Sequence, residues 1–374
     1  MLDRRTLLAA AASATLPLLA RAQGKPGRNR IVLGQSVPLT GAADQIGLAF
    51  AGGSKLFFDA ANARPAAPWS FELVQVDDGY DPAKAAANAK KLLAGGADLL
   101  FGFVGTGSGD AAAAVARQEG ALLFAPLAAS DALRDPSVTQ VFHVRPSLAD
   151  EAFKMVRHCA TLGQNRLAVV GEDDAMGRAG LAAVNQAIAD LKMPPLVASA
   201  FVPVNSDKVD AAVAALANAQ PQAILQVSLF NTTAAFIRRM RKTGYAGAFM
   251  NFSVVGIDPL FAALGKEIGG VVVSQVVPSP RSTTVPIVKE YLQALDNSDQ
   301  TPSYESLEGY IAAKTLAEAV RRSGRVDRAA LQKTMAAMTD YDVGGFRINL
   351  RAGVRDSVRT VDLVSITADG RIVR

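Results

Sequence analysis

The sequence predicts an α/β fold with parallel sheets, arranged as two similar lobes. Strand-like runs of Val, Ile and Leu alternate along the chain with helix-length amphipathic stretches, which is typical of α/β domains. Runs such as 31–37 and 223–227 lack apolar–polar alternation, so their strands are expected to be covered on both faces, as in parallel sheets. The 374 residues, half of them hydrophobic, are enough for two domains.

The elements follow in chain order. In the first part, we predict strands at 31–37, 71–76 and 98–104 and helices at 45–63 and 82–94. The middle part repeats the alternation, with strands at 167–171, 197–202 and 223–227 and helices at 176–191, 209–217 and 230–242. The last part contains helices at 285–294, 306–322 and 328–337 and two closing strands, 345–350 and 360–366.

Two dipeptides mark helix starts. Asp81-Pro82 and Asp258-Pro259 each place a carboxylate at the capping position before a proline at the first helical position. The apolar residues after Asp81 recur at helical spacing, and so do those after Val209. This similarity between the two halves indicates two lobes of the same construction.

The lobes are expected to share several crossing segments. The strand pattern breaks at Pro146, and a helix at 148–162 follows. A second crossing is predicted at 275–280, where Pro278 and Pro280 exclude regular structure. We therefore expect one lobe from residues 28–145 plus 276–345 and the other from residues 146–275 plus 346–374.

The N-terminal segment predicts export from the cytoplasm. Arg4 and Arg5 precede an apolar run, 7–20, which ends in Ala20-Arg21-Ala22. This pattern is typical of a signal peptide, here residues 1–22, cleaved before Gln23. The segment around Arg4 also resembles a twin-arginine export signal, and an ordinary secretory signal is an equal alternative.

Composition and motifs disfavour several other classes of function. The net charge of +5 is dispersed, with no basic stripe, so nucleic acid is not expected as a partner. Cys159 is the only cysteine, which excludes an internal disulfide. The sequence has no spaced Cys or His metal ligands and no G-x-S-x-G nucleophile motif. His143 and His158 are expected to be structural or to lie at the surface, so we predict neither an enzyme nor a cofactor.

Six short motifs are spread in order over the chain. They are GQSVPLTG from Gly34, VDDGYDP from Val76, GFVGT from Gly102, FAP from Phe124, FHVRPS from Phe142 and DDAMG from Asp173. With these motifs the chain resembles the type I periplasmic solute-binding proteins of the branched-chain amino-acid (Leu/Ile/Val) class, the solute receptors of ABC importers. The resemblance covers essentially the whole chain after the signal peptide.

The resemblance implies two Rossmann-like three-layer lobes, joined by hinge strands, that close on a ligand in the cleft between them. It further implies a periplasmic protein that delivers a small solute to an ABC permease in the inner membrane. A receptor domain of the same fold, signalling to a regulator instead, is the alternative. The sequence does not separate the two because both need the same binding chemistry.

The first candidate ligand site follows a predicted strand. Thr106, Gly107 and Ser108 open an Ala-rich helix, where free backbone N–H groups, two hydroxyls and the positive helix end suit a carboxylate. A tight strand-to-helix turn without a ligand is the alternative. The loop lacks the Lys of a phosphate-binding loop and the third Gly of a dinucleotide-binding motif.

The next strand-end loop supplies Leu127, Ala128, Ala129 and Ser130. The resemblance places there a hydroxyl that holds the ligand, but this chain has alanines, with Ser130 displaced. A helix cap is the alternative role of Ser130.

In the second lobe, Met176 stands where the family commonly has a Tyr; it is expected to form an apolar wall, with core packing as the alternative. Phe230 and Asn231, at a strand end, are expected to line the cleft. Ser253 replaces a Glu that pairs the ligand ammonium in the amino-acid binders. These departures predict a pocket for an uncharged or anionic solute, such as an apolar carboxylate.

The pairs Asp77-Asp78 and Asp173-Asp174 could bind a cation, although turn and cap roles are favoured.

Overall fold

The computed structural model describes residues 29–65, 67–127, 130–296, 298–350 and 361–373. The predicted signal peptide and export motif lie outside the described residues, as do Ala128 and Ala129. Within these ranges no helix has the length and apolar character needed to cross a membrane.

In the part of the chain that the structure describes, the first sheet consists of five parallel strands in the order β2-β1-β3-β4-β5. Its strands are β1 (Asn29–Val37), β2 (Trp69–Asp77), β3 (Leu99–Phe101), β4 (Leu123–Phe124) and β5 (Val141–Phe142). The connecting helices are α1 (Asp44–Ala63), α2 (Pro82–Ala94) and α3 (Thr106–Gln118). Leu99 and Phe101 belong to one hydrophobic core and Leu100 to another, so helices cover both faces of the sheet.

The second sheet has the order β14-β13-β10-β9-β8-β6-β7 among the described strands. Its strands are β6 (Leu167–Glu172), β7 (Ala198–Val202), β8 (Ala223–Val227), β9 (Ala248–Asn251), β10 (Val271–Gln275), β13 (Asp362–Ile366) and β14 (Ile372–Val373). Its helices are α4 (Leu148–Thr161), α5 (Ala175–Asp190), α6 (Asp210–Ala219), α7 (Phe230–Lys242) and α8 (Ile257–Leu264). Strands β6 to β10 are parallel, whereas β13 and β14 are antiparallel additions at one edge. The predicted α/β class with parallel sheets in two lobes is confirmed.

After β10 the chain returns to the first sheet through α9 (Pro286–Leu295), α10 (Tyr304–Ser323) and α11 (Arg328–Ala336). Helix α10 packs along α1, and glycines allow this close approach. A Cβ on Gly53 would lie 1.8 Å from the Ser306 carbonyl oxygen, and a Cβ on Gly309 would lie 2.1 Å from the Phe50 carbonyl oxygen. The contact fixes the start of α10 relative to the first lobe.

Two local predictions were wrong. The predicted strand 345–350 is only β12 (Arg347–Ile348), which pairs with β11 (Tyr341–Asp342) in a separate two-stranded sheet. Asp258 does not cap a helix, because α8 begins at Ile257 after Gly256, whose φ of +70° suits glycine. By contrast, Asp81 caps α2 as predicted, accepting hydrogen bonds from the backbone N–H groups of Ala83 and Lys84.

Candidate functional site

The carboxyl ends of the parallel strands in both sheets supply the candidate site. In open α/β sheets, ligands bind outside these ends, where the strand order reverses. In the first sheet, β1, β3 and β4 lead to Ile46, Thr106 and Leu127. In the second sheet, β6, β8 and β9 lead to Met176, Phe230 and Ser253. Residues from the two sheets meet in two places, which we call the rim and the cavity.

The rim is the contact between the starts of α3 and α5. A Cβ on Gly107 would lie 3.7 Å from the Ala175 Cβ across the cleft. The Tyr80 hydroxyl lies 3.9 Å from the Met176 sulfur. Burial and the neighbouring carboxylates of Asp174 and Glu172 raise the pKa of Tyr80 well above its usual value. The phenol is therefore neutral, and at the rim it joins the two lobes.

Tyr80 also shapes the start of α3. Gly105 has a φ of +105°, and a Cβ there would lie 2.7 Å from the Tyr80 ring, so glycine is required on two grounds. Thr106 and Ser108, in the first turn of α3, are 1% and 2% exposed. The Ser108 hydroxyl has no hydrogen-bond partner among the described residues. A buried hydroxyl without a partner is costly, so Ser108 is suited to bind a ligand or a water molecule.

The cavity lies between the two sheets and the crossing segments, and the space between atoms within its outline is about 260 Å³, part of it open to solvent. Its walls are formed by Ile46, Leu127, Arg145, Ser253, Val254, Gln275, Val276, Val277, Tyr304, Glu305 and Glu308. A wider pocket of about 830 Å³, open to solvent, shares Ile46 and Glu305 with the cavity. Together they form a cleft with its mouth beside α1, α8 and the start of α10.

Arg145 holds the inner wall of the cavity together. Its guanidinium donates to Glu151 Oε1 at 3.1 Å and to Ser253 Oγ at 2.5 Å, and it lies 3.4 Å from Glu308 Oε1. Burial opposes the charge, but Glu308 and Glu151 outweigh it and raise the pKa of Arg145. The guanidinium therefore stays charged and joins the first crossing segment to α4, α10 and the second sheet.

Glu151 extends this network to a further strand. The carboxylate is fully buried, and its Oε2 accepts hydrogen bonds from the Ser253 N–H at 2.8 Å and the Ser274 hydroxyl at 2.6 Å. The network thus covers both crossing segments near the ends of β5 and β10. It forms a rigid polar base on which the cavity is built.

A family model described as "Periplasmic binding protein" matches residues 30–371. The chain belongs to this family of periplasmic binding proteins. The Leu/Ile/Val-binding protein homolog 7 of Brucella suis is 24% identical over 342 residues, which cover 85% of this chain and 84% of that protein.

Solved structures of such periplasmic binding proteins show the same fold. A possible leucine/isoleucine/valine-binding protein from Rhodopirellula baltica superposes with a TM-score of 0.86 at 28% identity, covering 93% of this chain and 97% of its own. A leucine binding protein from Thermotoga maritima superposes with a TM-score of 0.80 at 17% identity, covering 92% and 98%. The fold and family are those of binding proteins, and the family implies a periplasmic location.

The structure of this periplasmic binding protein distributes the predicted ligand residues unevenly. Leu127 and Ser253 line the cavity, while Thr106, Gly107, Ser108 and Met176 lie at or beside the rim. Met176 is 2% exposed, so its packing role is present whether or not it contacts a ligand.

The three remaining described candidates are one buried aromatic residue and two polar residues with hydrogen-bond partners within the protein. Phe230 is buried at the start of α7, whereas the neighbouring Asn231 is exposed and donates to Asn205 Oδ1 at 2.8 Å. Ser130 precedes a 3-10 turn without capping it through its side chain, and its N–H donates to Asp110 Oδ1 at 3.1 Å. Burial raises the pKa of Asp110, and hydrogen bonds from Ser130 oppose that shift. The cap that we weighed for Ser130 is therefore wrong.

The acidic pairs have the turn and cap roles that we favoured. Asp77 accepts from the Thr40 hydroxyl and from the N–H groups of Leu39 and Gly79, which lowers its pKa to about 2. Asp174 caps α5 through the Gly177 N–H, and Asp173 pairs with Arg178. Within the described residues, no group of three or more His, Cys, Asp or Glu side chains is arranged to hold a metal ion.

Sequence reasoning missed the polar residues that line the cavity from α10 and β10. Glu305 and Glu308 lie in the first turns of α10, and Gln275 ends β10. Burial raises the pKa of Glu305 from 4.5 to about 7. The available signal was the presence of two carboxylates among the apolar residues of a helix otherwise patterned for burial.

Proposed function

We propose that this protein is the periplasmic substrate-binding component of an ABC transporter. It captures a small carboxylate or amino-acid-like solute and delivers it to a permease in the inner membrane. The observation that carries the proposal is the cavity, whose walls come from the strand ends of both sheets and from the crossing segments. A pocket between two lobes that are joined at its base and meet again at the rim suits capture by closure.

In the proposed mechanism the solute docks first on the strand ends of the first lobe, at Thr106, Ser108 and the loop after Leu127. The second lobe, with Met176, Phe230 and Ser253, then closes over it and excludes water. Micromolar affinity needs about 8 kcal/mol, which a few hydrogen bonds and an apolar wall can supply. The permease would recognise the closed arrangement of the two lobes.

Two predictions from the sequence belong to this proposal. The lobes that move are residues 28–145 plus 276–345 and residues 146–275 plus 346–374; membership of the two large sheets supports this division. Residues 1–22 act as the signal peptide, of either the twin-arginine or the ordinary secretory type.

A thermal-shift screen of the protein from Gln23 onward tests the proposal. The panel contains amino acids, aliphatic and aromatic carboxylates, dicarboxylates and amides. Binding by one chemical class should raise the melting temperature by several degrees. If no compound changes the melting temperature or binds in calorimetry, the proposed solute class is wrong.

A further inference from the structure

Tyr80, at the rim, has a backbone conformation that a tyrosine rarely adopts. Its φ of +67° lies in the left-handed region, where glycine is favoured and a bulky side chain is strained. Such strain persists where the surrounding structure fixes the residue, and it is concentrated at functional positions. The backbone alone would favour glycine here, so the side chain of Tyr80 needs an explanation of its own.

Contacts within the first lobe fix the position of Tyr80. Its N–H donates to Asp78 Oδ1 at 2.9 Å, and the fully buried Asp78 carboxylate accepts the Ser36 hydroxyl at 2.8 Å. The Tyr80 ring occupies the space that a Cβ on Gly105 would need. These contacts come from β1, from the turn after β2 and from the start of α3, so none of them depends on the second lobe.

Contacts within the second lobe fix the acceptor that Tyr80 meets. The Asp174 carboxylate caps α5 by accepting from the Gly177 N–H at 2.8 Å and from the Met176 N–H. The Tyr80 hydroxyl donates to this carboxylate across the rim. Donor and acceptor are each held by their own lobe, so forming the hydrogen bond between them restricts little further motion.

The hydrogen bond between Tyr80 and Asp174 lies outside the solute pocket. Neither residue lines the cavity or its mouth. Beside the hydrogen bond, the small residues Gly107 and Ala175 allow the two lobes to approach, with 3.7 Å between the Ala175 Cβ and a Cβ placed on Gly107. The contact can therefore form whether or not a solute is bound.

We infer that Tyr80 and Asp174 form a latch that holds the two lobes together when no solute is bound. The latch makes the closed arrangement a populated state of the free protein. A solute then shifts an existing equilibrium and does not have to create a new arrangement. Tyr80 is a positioning residue, because it acts on the lobes and not on the solute. This inference rests on the closure proposed above but not on the identity of the solute.

Distances between spin labels on the two lobes test the latch in protein free of solute. The labels are attached at Arg117→Cys on α3 and Asn185→Cys on α5, which are both exposed positions. Refolding from urea removes any solute retained through purification. Tyr80→Phe removes the hydroxyl but keeps the ring, and Asp174→Asn keeps a helix cap but removes the charge.

Tyr245→Phe is the matched control. The Tyr245 hydroxyl donates to the Ala248 carbonyl oxygen at 3.0 Å within the second lobe. This variant therefore loses a tyrosine hydrogen bond that does not join the lobes. Loss of stability is expected in both phenylalanine variants, whereas only Tyr80→Phe should change the distance between the labels.

In the wild type without solute, we expect one distance component at the separation in this structure and a second, longer one. Tyr80→Phe should lower the ratio of the shorter to the longer component by about fivefold. Asp174→Asn should lower it by a smaller factor, because a neutral amide oxygen accepts a weaker hydrogen bond than a carboxylate. Tyr245→Phe should leave the ratio unchanged.

Two results would overturn the inference. Equal ratios in the wild type and Tyr80→Phe would show that the hydroxyl does not hold the lobes together. A wild type without the shorter component would show that the free protein does not close. Either result would leave the proposed function standing if a compound of the thermal-shift panel still shortens the distance. A lower ratio in Tyr80→Phe, with no binding by any panel compound, would support the latch and count against the proposed solute class.

Discussion

The base of the cavity and the rim differ in the kind of contact that joins the two lobes. At the base, Arg145, Glu151 and Glu308 form buried ion pairs across the crossing segments. At the rim, α3 and α5 meet through van der Waals contact, and the Tyr80 hydroxyl lies near the Met176 sulfur and donates a hydrogen bond to the Asp174 carboxylate. A cleft that opens and closes needs strong contacts at its base and weaker contacts at its rim, because only the rim must separate.

The largest expected effect comes from breaking the base. Arg145→Met would leave Glu151 and Glu308 buried without their cation, so the free energy of unfolding should fall by about 3–5 kcal/mol. Urea denaturation measures this change. Arg117→Met, which removes an exposed arginine from the last turn of α3, should change it by less than about 0.5 kcal/mol. Similar losses in the two variants would show that the buried network does not hold the base.

The next effect comes from the packing that positions α10. Gly53→Ala would place a Cβ 1.8 Å from the Ser306 carbonyl oxygen and should cost about 1–3 kcal/mol. Gly52→Ala is the matched control, because its Cβ would meet only the end of the exposed Gln300 side chain. Thermal unfolding should show a lower melting temperature for Gly53→Ala than for Gly52→Ala. Equal melting temperatures would contradict the claim that close packing of α10 on α1 positions Glu305.

A smaller effect depends on pH. Asp258 on α8, Glu308 on α10, Arg145 in the crossing segment and Arg281 after β10 are the charged groups that act on Glu305 or its neighbour Asp258. Because burial raises the pKa of Glu305 from 4.5 to about 7, the folded state holds this proton more tightly than the unfolded chain.

The contribution of Glu305 to stability should therefore decrease as pH rises from 4.5 to about 7 and stay low above it. Glu305→Gln has no carboxyl group to ionise, so its stability should not decrease over this pH range. Its melting temperature should be about 2–4 °C above that of the wild type at pH 8 and equal to it below pH 4.5. Melting curves across this range measure the difference. A difference in melting temperature that is the same at all pH values would contradict the raised pKa of Glu305.

The smallest effect is expected at the rim. Tyr80→Phe keeps the ring against Gly105 but removes the hydroxyl, which lies near Met176 and hydrogen-bonds Asp174, so stability should fall by about 1 kcal/mol. Thermal unfolding of this variant beside Arg145→Met tests the contrast. A loss as large as that of Arg145→Met would show that the rim is not the weaker contact.

The parts of the fold that depend on local signals were predicted well. Helix α2 begins at Pro82, as the cap at Asp81 indicated, and β8 and α7 have the predicted bounds because apolar runs and turns mark both ends. The Asp258-Pro259 dipeptide misled because Gly256, with its positive φ, begins the helix earlier. Strand 345–350 was overestimated because its only partner is a two-residue strand.

The cavity depends on contacts between residues far apart in the chain. Ser253 could be matched to the family by its motif, but Arg145 reaches it from 108 positions away. Glu305 lies beside Ile46 only because Gly53 and Gly309 let α10 approach α1. No local sequence pattern indicates that α10 packs this closely on α1. The negative charge of the site could therefore not be derived from the predicted residues alone.

Closure of the lobes around a solute is the central claim, and a distance between spin labels tests it most directly. Arg117→Cys on α3 and Asn185→Cys on α5 provide two exposed sites. Cys159 is buried, which raises the pKa of its thiol to about 11, so the labels should react with the introduced thiols. With the compound that stabilises the protein most, the distance distribution should shorten and narrow toward the separation in this structure. A distribution that saturating ligand leaves unchanged would contradict closure.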